Sequence, residues 1–292
     1  MSRGSDVAAL AQLACLLEVS APKPGNVSPA AAFRDARYED FLASAIAIGP
    51  ALADAAVRPL GMTIRLAVEA TRRWTATNTN LGIVLLLAPL ARAALTRNTG
   101  SLRDALRCTL ADTTVADAQD VYAAIRLASP GGLGNAPEQD VAYPPTVGLL
   151  DAMAFARERD AIACEYVTGF ETIFDVGAPA LGRARAEGLE WSDAIVHTYL
   201  TLLAAAPDTH IARKIGAAAA GDVQRQARLA LDSGGMHRPA GRAAVATLDH
   251  ALRDPDNRRN PGATADLTAA AIFVTLLEGG WPPWGKEHDG AA

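Results

Sequence analysis

The stretch SDVAALAQLACLLEVS at residues 5–20, with Pro22-Lys23-Pro24-Gly25-Asn26 immediately behind it, decides how this chain is read. Leu10, Leu13, Ala14 and Leu17 recur at the i, i+3, i+4, i+7 spacing that gathers apolar side chains on one face of an α-helix. Two prolines and a glycine in five positions then stop it. The pattern of helix and breaker continues along the chain. Tyr38–Ala56 places Phe41, Ala45, Ile48 and Leu52 on one face, with a bend at Gly49-Pro50. Further helices are expected over 60–74, 81–95, 101–110, 114–128, 145–158, 161–175, 178–187, 192–205, 208–220, 222–232, 239–253 and 263–278. Ser101 and Asp160 suit N-caps, Pro145 a helix start, and Gly188, Gly234 and Gly279 helix ends. No alternating run long enough for a strand and no internal repeat is present. The expectation is an all-α fold, a single multi-helix domain over 1–279 with a loose tail at 280–292. Pro130–Pro145, the longest irregular stretch, is the alternative domain boundary.

Composition narrows the function. The chain of 292 residues is half apolar with only 5% aromatics, which supplies a large core and favours helix over sheet. A net charge of −5 argues against a general nucleic-acid binder but leaves room for a nucleotide pocket. Cys15, Cys108 and Cys164 are far apart, and the five histidines lack a metal-ligand spacing such as H-E-x-x-H. The N-terminus has no signal-peptide pattern, and the longest apolar run, Ile83–Ala91, is broken by Pro89 and too short for a bilayer. A cytoplasmic protein with no membrane partner is expected. Alanine-rich helices often pack against a second copy, which leaves a homodimer open.

Polar motifs interrupt the helices at intervals. Lys23 and Asn26 stand in the rigid Pro/Gly turn, either as an anion site or as a plain interhelical loop. Thr77-Asn78-Thr79-Asn80-Leu81-Gly82 precedes a strongly apolar helix whose N-terminal N–H groups can receive phosphate. The plain alternative is a single cap. Asp208 to Gly216 follows Pro207, with Asp208 a natural N-cap and Arg213-Lys214 a cationic pair that can grip phosphates or form a solvated face. Arg258 to Leu267 opens the last helix, where Asp266 either serves the helix dipole or, on a buried face, needs a cation or metal. Ser129-Pro130-Gly131-Gly132-Leu133-Gly134 is a turn rich in N–H groups but lacks the G-K-[ST] of a Walker A loop. Glu18, Asp35, Asp151 and Asp175 are oxygen donors of the kind Mg²⁺ accepts.

In this order the motifs resemble the triphosphoribosyl-dephospho-CoA synthase family. The resemblance runs from about Glu18 to Leu277. It is carried by Pro22-Lys23-Pro24-Gly25, the Asp35 to Ser44 stretch with Phe41, Asn78-Thr79 with Gly82, Asp208 through Gly216, and Asn260-Pro261-Gly262 through Asp266. It implies an all-α transferase that moves a triphosphoribosyl group from ATP to dephospho-CoA, releases adenine and uses Mg²⁺. Asp35 and Asp266 then stabilise cationic character at the ribose and accept the acceptor's proton. Lys23, Asn26, Asn78, Thr79, Asn80, Gly82, Gly132, Arg213, Lys214, Asn260 and Gly262 bind substrate, and Asp208 and Glu18 hold the metal. Three places depart from the family pattern. A histidine is lost at Ala31-Ala32-Phe33-Arg34-Asp35-Ala36, a histidine and a cation at Asn80-Leu81, and a cation at Leu133. These losses are similar to family members linked to tetrahydromethanopterin-dependent one-carbon metabolism. They leave two alternatives open: a related transferase or hydrolase on a phosphorylated one-carbon-cofactor precursor, and a non-catalytic nucleotide-binding helical protein.

Overall fold

The computed structural model describes residues 2–281, whose regular elements are all helical, with no strand among them. In chain order the helices are α1 (Arg3–Ser20), α2 (Tyr38–Ala47), α3 (Gly49–Ala53), α4 (Leu60–Arg72), α5 (Leu81–Thr96), α6 (Leu102–Ala111), α7 (Val115–Ala128) and α8 (Leu149–Ala154). They continue as α9 (Ala161–Thr168), α10 (Ala178–Ala186), α11 (Trp191–Ala205), α12 (Thr209–Ile215), α13 (Ala217–Asp232), α14 (Pro239–Leu252) and α15 (Gly262–Leu277). A π-helical turn, Thr172–Gly177, leads into α10, and a 3₁₀ turn, Gly235–His237, precedes α14. None of the described helices is long and apolar enough to cross a membrane.

Two helices are apolar nearly all round and occupy the middle, as such a pattern requires. In α5, Ile83 through Leu87 are buried, and α15 buries Leu267 through Val274 without a break. Helix α15 packs against α1, α5, α10 and α11, so the first and last helices share one core. Contacts of this kind across Pro130–Pro145 join the two halves of the chain.

Pro89 lies inside α5. With no N–H, it leaves the carbonyl of Leu85, four residues earlier, without its helical donor. The Tyr166 hydroxyl of α9 supplies the missing donor at 2.6 Å. Tyr166 is only 1% exposed, so water cannot take its place.

Four expected helices are interrupted, each for a local reason. Tyr38–Ala56 divides at Ile48, because Pro50 starts a new helix rather than continuing the old one. The helix expected over 145–158 is confined to α8, because Pro144-Pro145 cannot join an interior turn. The helix over 161–175 stops at Gly169 and Phe170, with φ of 66° and 61°. The buried Glu165 carboxylate then accepts the N–H groups of Thr172 and Ile173 at 3.2 and 3.1 Å, seating the π turn. The helix over 208–220 breaks at Gly216, φ 95°. Of the expected tail 280–292, residues 282–292 lie outside the described residues.

Tyr166→Phe removes the donor while keeping the ring. It should lower stability by about 1–3 kcal/mol, the cost of an unsatisfied buried carbonyl, measured by urea denaturation.

Candidate active site

A cavity of about 670 Å³ opens where the N-terminal ends of α5, α9, α12 and α15 converge. The end of α1, the turn after it and the loops 76–80 and 129–141 complete its wall. Helix N-termini carry the positive end of the dipole, which favours an anion in this cavity. Part of its wall is apolar, with Ile125, Leu149, Met153 and Phe155 facing it.

The polar run before α5 divides its work. Asn78 Oδ1 accepts the Leu81 N–H at 3.0 Å and so caps the helix. Thr79 pairs with the Ser44 hydroxyl at 2.6 Å, and Asn80 donates to the Thr71 hydroxyl at 3.2 Å. All three residues and Gly82 line the cavity.

Lys23 does not reach it. The side chain is fully buried: Nζ sits 2.9 Å from Glu18 Oε1, donates to the Glu18 carbonyl and donates to the Ala21 carbonyl at 3.3 Å. Three partners use all three ammonium protons. The expected phosphate-binding lysine is therefore an internal tie that shapes the turn. Tyr199 donates to the Pro24 carbonyl at 2.8 Å, and Asp249 Oδ1 accepts the Gly25 N–H at 2.8 Å, pinning the same turn from α11 and α14. Asn26 is turned to the cavity and donates to Asn260 Oδ1 across the fold.

The metal expectation for Asp208 also gives way. One of its oxygens accepts the N–H groups of His210 and Ile211, at 2.8 and 3.0 Å. The other accepts the Thr264 N–H and hydroxyl, both at 2.8 Å. Two oxygens with two bonds each leave no lone pair for a metal. Asp208 is 3% exposed; burial raises its pKa and the four donors oppose that rise. Glu18 lines the cavity but spends its charge on Lys23. Asp151 and Asp175 are not in the cavity wall, and Asp175 is held by Arg103 at 2.7 Å. Among the described residues, no three His, Cys, Asp or Glu side chains come together as a metal cage.

Asp266, on the first turns of α15, faces the cavity, and Asp35 stands exposed at its rim. Gly82 makes room for Asp266: a Cβ at residue 82 would lie 2.0 Å from the Asp266 Oδ2. Gly262 likewise gives space to the His210 ring. On α12, Arg213 pairs with Asp160, while Lys214 donates to the Asn257 carbonyl at 3.2 Å. Both cations line the cavity. Burial, then the neighbouring Arg213, lowers the Lys214 pKa, although Asp35 and Asp254 pull it up. Gly132 itself is not in the wall. It packs on Arg213, and Gly131, Leu133 and Gly134 face the cavity instead.

Sequence reasoning missed His210, Arg72 and Arg159, all of which line the cavity. His210 was passed over for want of a metal spacing, although its place two residues after an N-cap was legible. Burial and the adjacent Lys214 and Arg213 push its pKa down to about 3, so the imidazole is neutral at physiological pH.

Residues 4–284 match the family described as CitG, ATP:dephospho-CoA triphosphoribosyl transferase. A solved structure from Archaeoglobus fulgidus, provisionally named as a triphosphoribosyl-dephospho-CoA synthase, is 30% identical with a TM-score of 0.64; the match covers 82% of this chain and 99% of that one. A Vibrio cholerae protein provisionally given the same activity is 27% identical over 291 residues, 92% of this chain and 87% of that protein. A Pseudomonas savastanoi pv. phaseolicola protein with the same provisional name is 34% identical over 110 residues, and this match spans only 38% of this chain and 37% of that protein.

Lys23→Met would strand the buried Glu18 carboxylate. It should cost about 3–5 kcal/mol in urea denaturation.

Proposed function

This chain belongs to the ATP:dephospho-CoA triphosphoribosyl transferase family, and we propose that it moves a triphosphoribosyl group from ATP to dephospho-CoA with release of adenine. The observation that carries the reading is the convergence of helix N-termini, cations and the Asp266 carboxyl on one cavity of nucleotide size. The triphosphate lies against the first turns of α5 and α15, between Arg213 and Lys214 on one side and Asn78 and Thr79 on the other. Asn26, Asn80, Gly82, Asn260 and Gly262 shape the wall around the sugar. Cleavage at the ribose anomeric carbon builds positive charge there, which carboxyl groups stabilise. Asp35, at the rim, accepts the proton of the attacking hydroxyl.

The donor set fits Mg²⁺ that arrives on the triphosphate and keeps several waters, with Asp256 in the wall as a protein carboxylate for it. When bound, the ion neutralises phosphate charge.

A second reading keeps the site and changes the acceptor to a phosphorylated precursor of a one-carbon cofactor. It is favoured by Asn80, Leu81 and Leu133, which stand in the cavity wall where the family pattern has a histidine and cations.

The test is chromatographic. Protein, ATP, Mg²⁺ and dephospho-CoA should yield free adenine that depends on both Mg²⁺ and dephospho-CoA. No adenine with any acceptor would sink the transferase reading, and adenine with a different acceptor alone would favour the second one. Lys214→Ala should raise the KM for ATP by about tenfold, the worth of a partly buried charge–phosphate contact. Gly82→Ala should fold normally, since only the flexible end of Asp266 must move. Displacing that carboxyl should lower kcat by about 100-fold.

A further inference from the structure

Glu18, Asp160 and Asp266 line the cavity, the buried Asp208 lies within electrostatic reach of Asp266, and of these four carboxyl groups three already have partners. Glu18 of α1 is ion-paired with Lys23 at 2.9 Å. Asp160, the N-cap of α9, accepts the Ile162 and Ala163 N–H groups at 2.9 and 3.1 Å and pairs with Arg213. Asp208 is filled by its four donors. Asp266 is the fourth. Among the described residues no hydrogen bond or ion pair holds its carboxyl, and it faces the cavity where a substrate would lie.

The neighbours of Asp266 oppose an ionised form. Glu18, Asp208 and Asp160 bear on it with like charge, and Arg213, already committed to Asp160, is the cation that opposes them. Cys15 of α1 also lies within electrostatic reach, but its buried thiol stays neutral. On α12, His210 is neutral and Lys214 points its ammonium to Asn257. The start of α5 beside Gly82 favours negative charge only weakly. That is too little to offset loss of hydration together with three carboxylates. Burial comes first and like charge second in raising the Asp266 pKa well above the usual carboxylate range.

Resting on the transferase reading above, we infer that Asp266 is the acid that hands a proton to the departing base. Adenine is a poor leaving group as an anion and a good one once a ring nitrogen is protonated. The bond from the anomeric carbon to the purine nitrogen breaks, and its electron pair goes to the purine. A ring nitrogen of the purine takes the Asp266 proton, so adenine leaves neutral. The acceptor hydroxyl oxygen bonds to the anomeric carbon and gives up its proton to Asp35, and exchange with water returns a proton to Asp266. The assignment replaces the expectation of an Asp266 carboxylate acting as base. It also sets His210 aside as the acid, since a ring with a pKa of about 3 has no proton to donate at neutral pH.

The experiment compares ATP with N7-methyl-ATP, whose base already carries a positive charge and leaves without protonation. Asp266→Asn keeps the size and neutrality of the protonated side chain but cannot give up a proton. In this variant, adenine release from ATP should fall by about 100-fold or more, while release of N7-methyladenine stays near the wild-type rate. In the wild-type protein, turnover of ATP should decline as pH rises through the elevated Asp266 pKa, because the active form is the protonated one. Turnover of N7-methyl-ATP should lack that decline. Full ATP turnover by the variant, equal loss with both donors, or a wild-type ATP profile without the alkaline decline would each overturn the assignment. Wild-type protein that releases neither base would instead fail the transferase reading itself, and the assignment with it.

Discussion

The carboxylate of Asp208 is the constraint on which the site depends. It accepts the His210 and Ile211 N–H groups in the first turn of α12 with one oxygen and the backbone N–H and hydroxyl of Thr264 with the other. Buried donors left without acceptors would each cost about 1–3 kcal/mol, so the two helix starts cannot drift apart cheaply. Asp266 follows Thr264 by two residues. The position of its carboxyl, and of Arg213 and His210 on α12, is thus set by a group that never meets solvent.

The same economy of burial recurs around the cavity. Lys23 and Glu18 neutralise one another inside the fold and fix the Pro22–Asn26 turn, which in turn presents Asn26. Asp160 caps α9 and restrains Arg213. Tyr166 repairs the backbone defect that Pro89 makes in α5, the helix whose start lies beneath Asp266. Most of these buried polar groups are satisfied within the protein, while Asn26 Oδ1 and Arg213 Nε are left without a partner. Asp266 is left outside this system of partners, and that isolation gives it a chemistry the other carboxyl groups lack.

Helix type was legible from the chain: the i, i+3, i+4, i+7 pattern, the Ser101 and Asp160 caps and the glycine ends correspond to helices and caps in the structure. Helix length was less so. The π turn after Phe170 is seated by the buried Glu165 carboxylate, which accepts the Thr172 and Ile173 N–H groups, and the stop at Gly216 rests on its φ of 95°.

By itself the sequence determined an all-α fold, placed the polar motifs at helix ends, and put Asp266 near the start of a buried helix. These are local properties, set by periodicity, capping and the limits of proline and glycine. Only the tertiary structure decided which polar residues are tools and which are ties. Lys23 and Asp208 look like ligands in the chain and are spent inside the protein. His210 looks ordinary and lines the cavity. The difference rests on burial and on partners up to more than two hundred residues away, as with Asn26 and Asn260. Desolvation and charge pairing act through space, and a one-dimensional pattern carries no record of them.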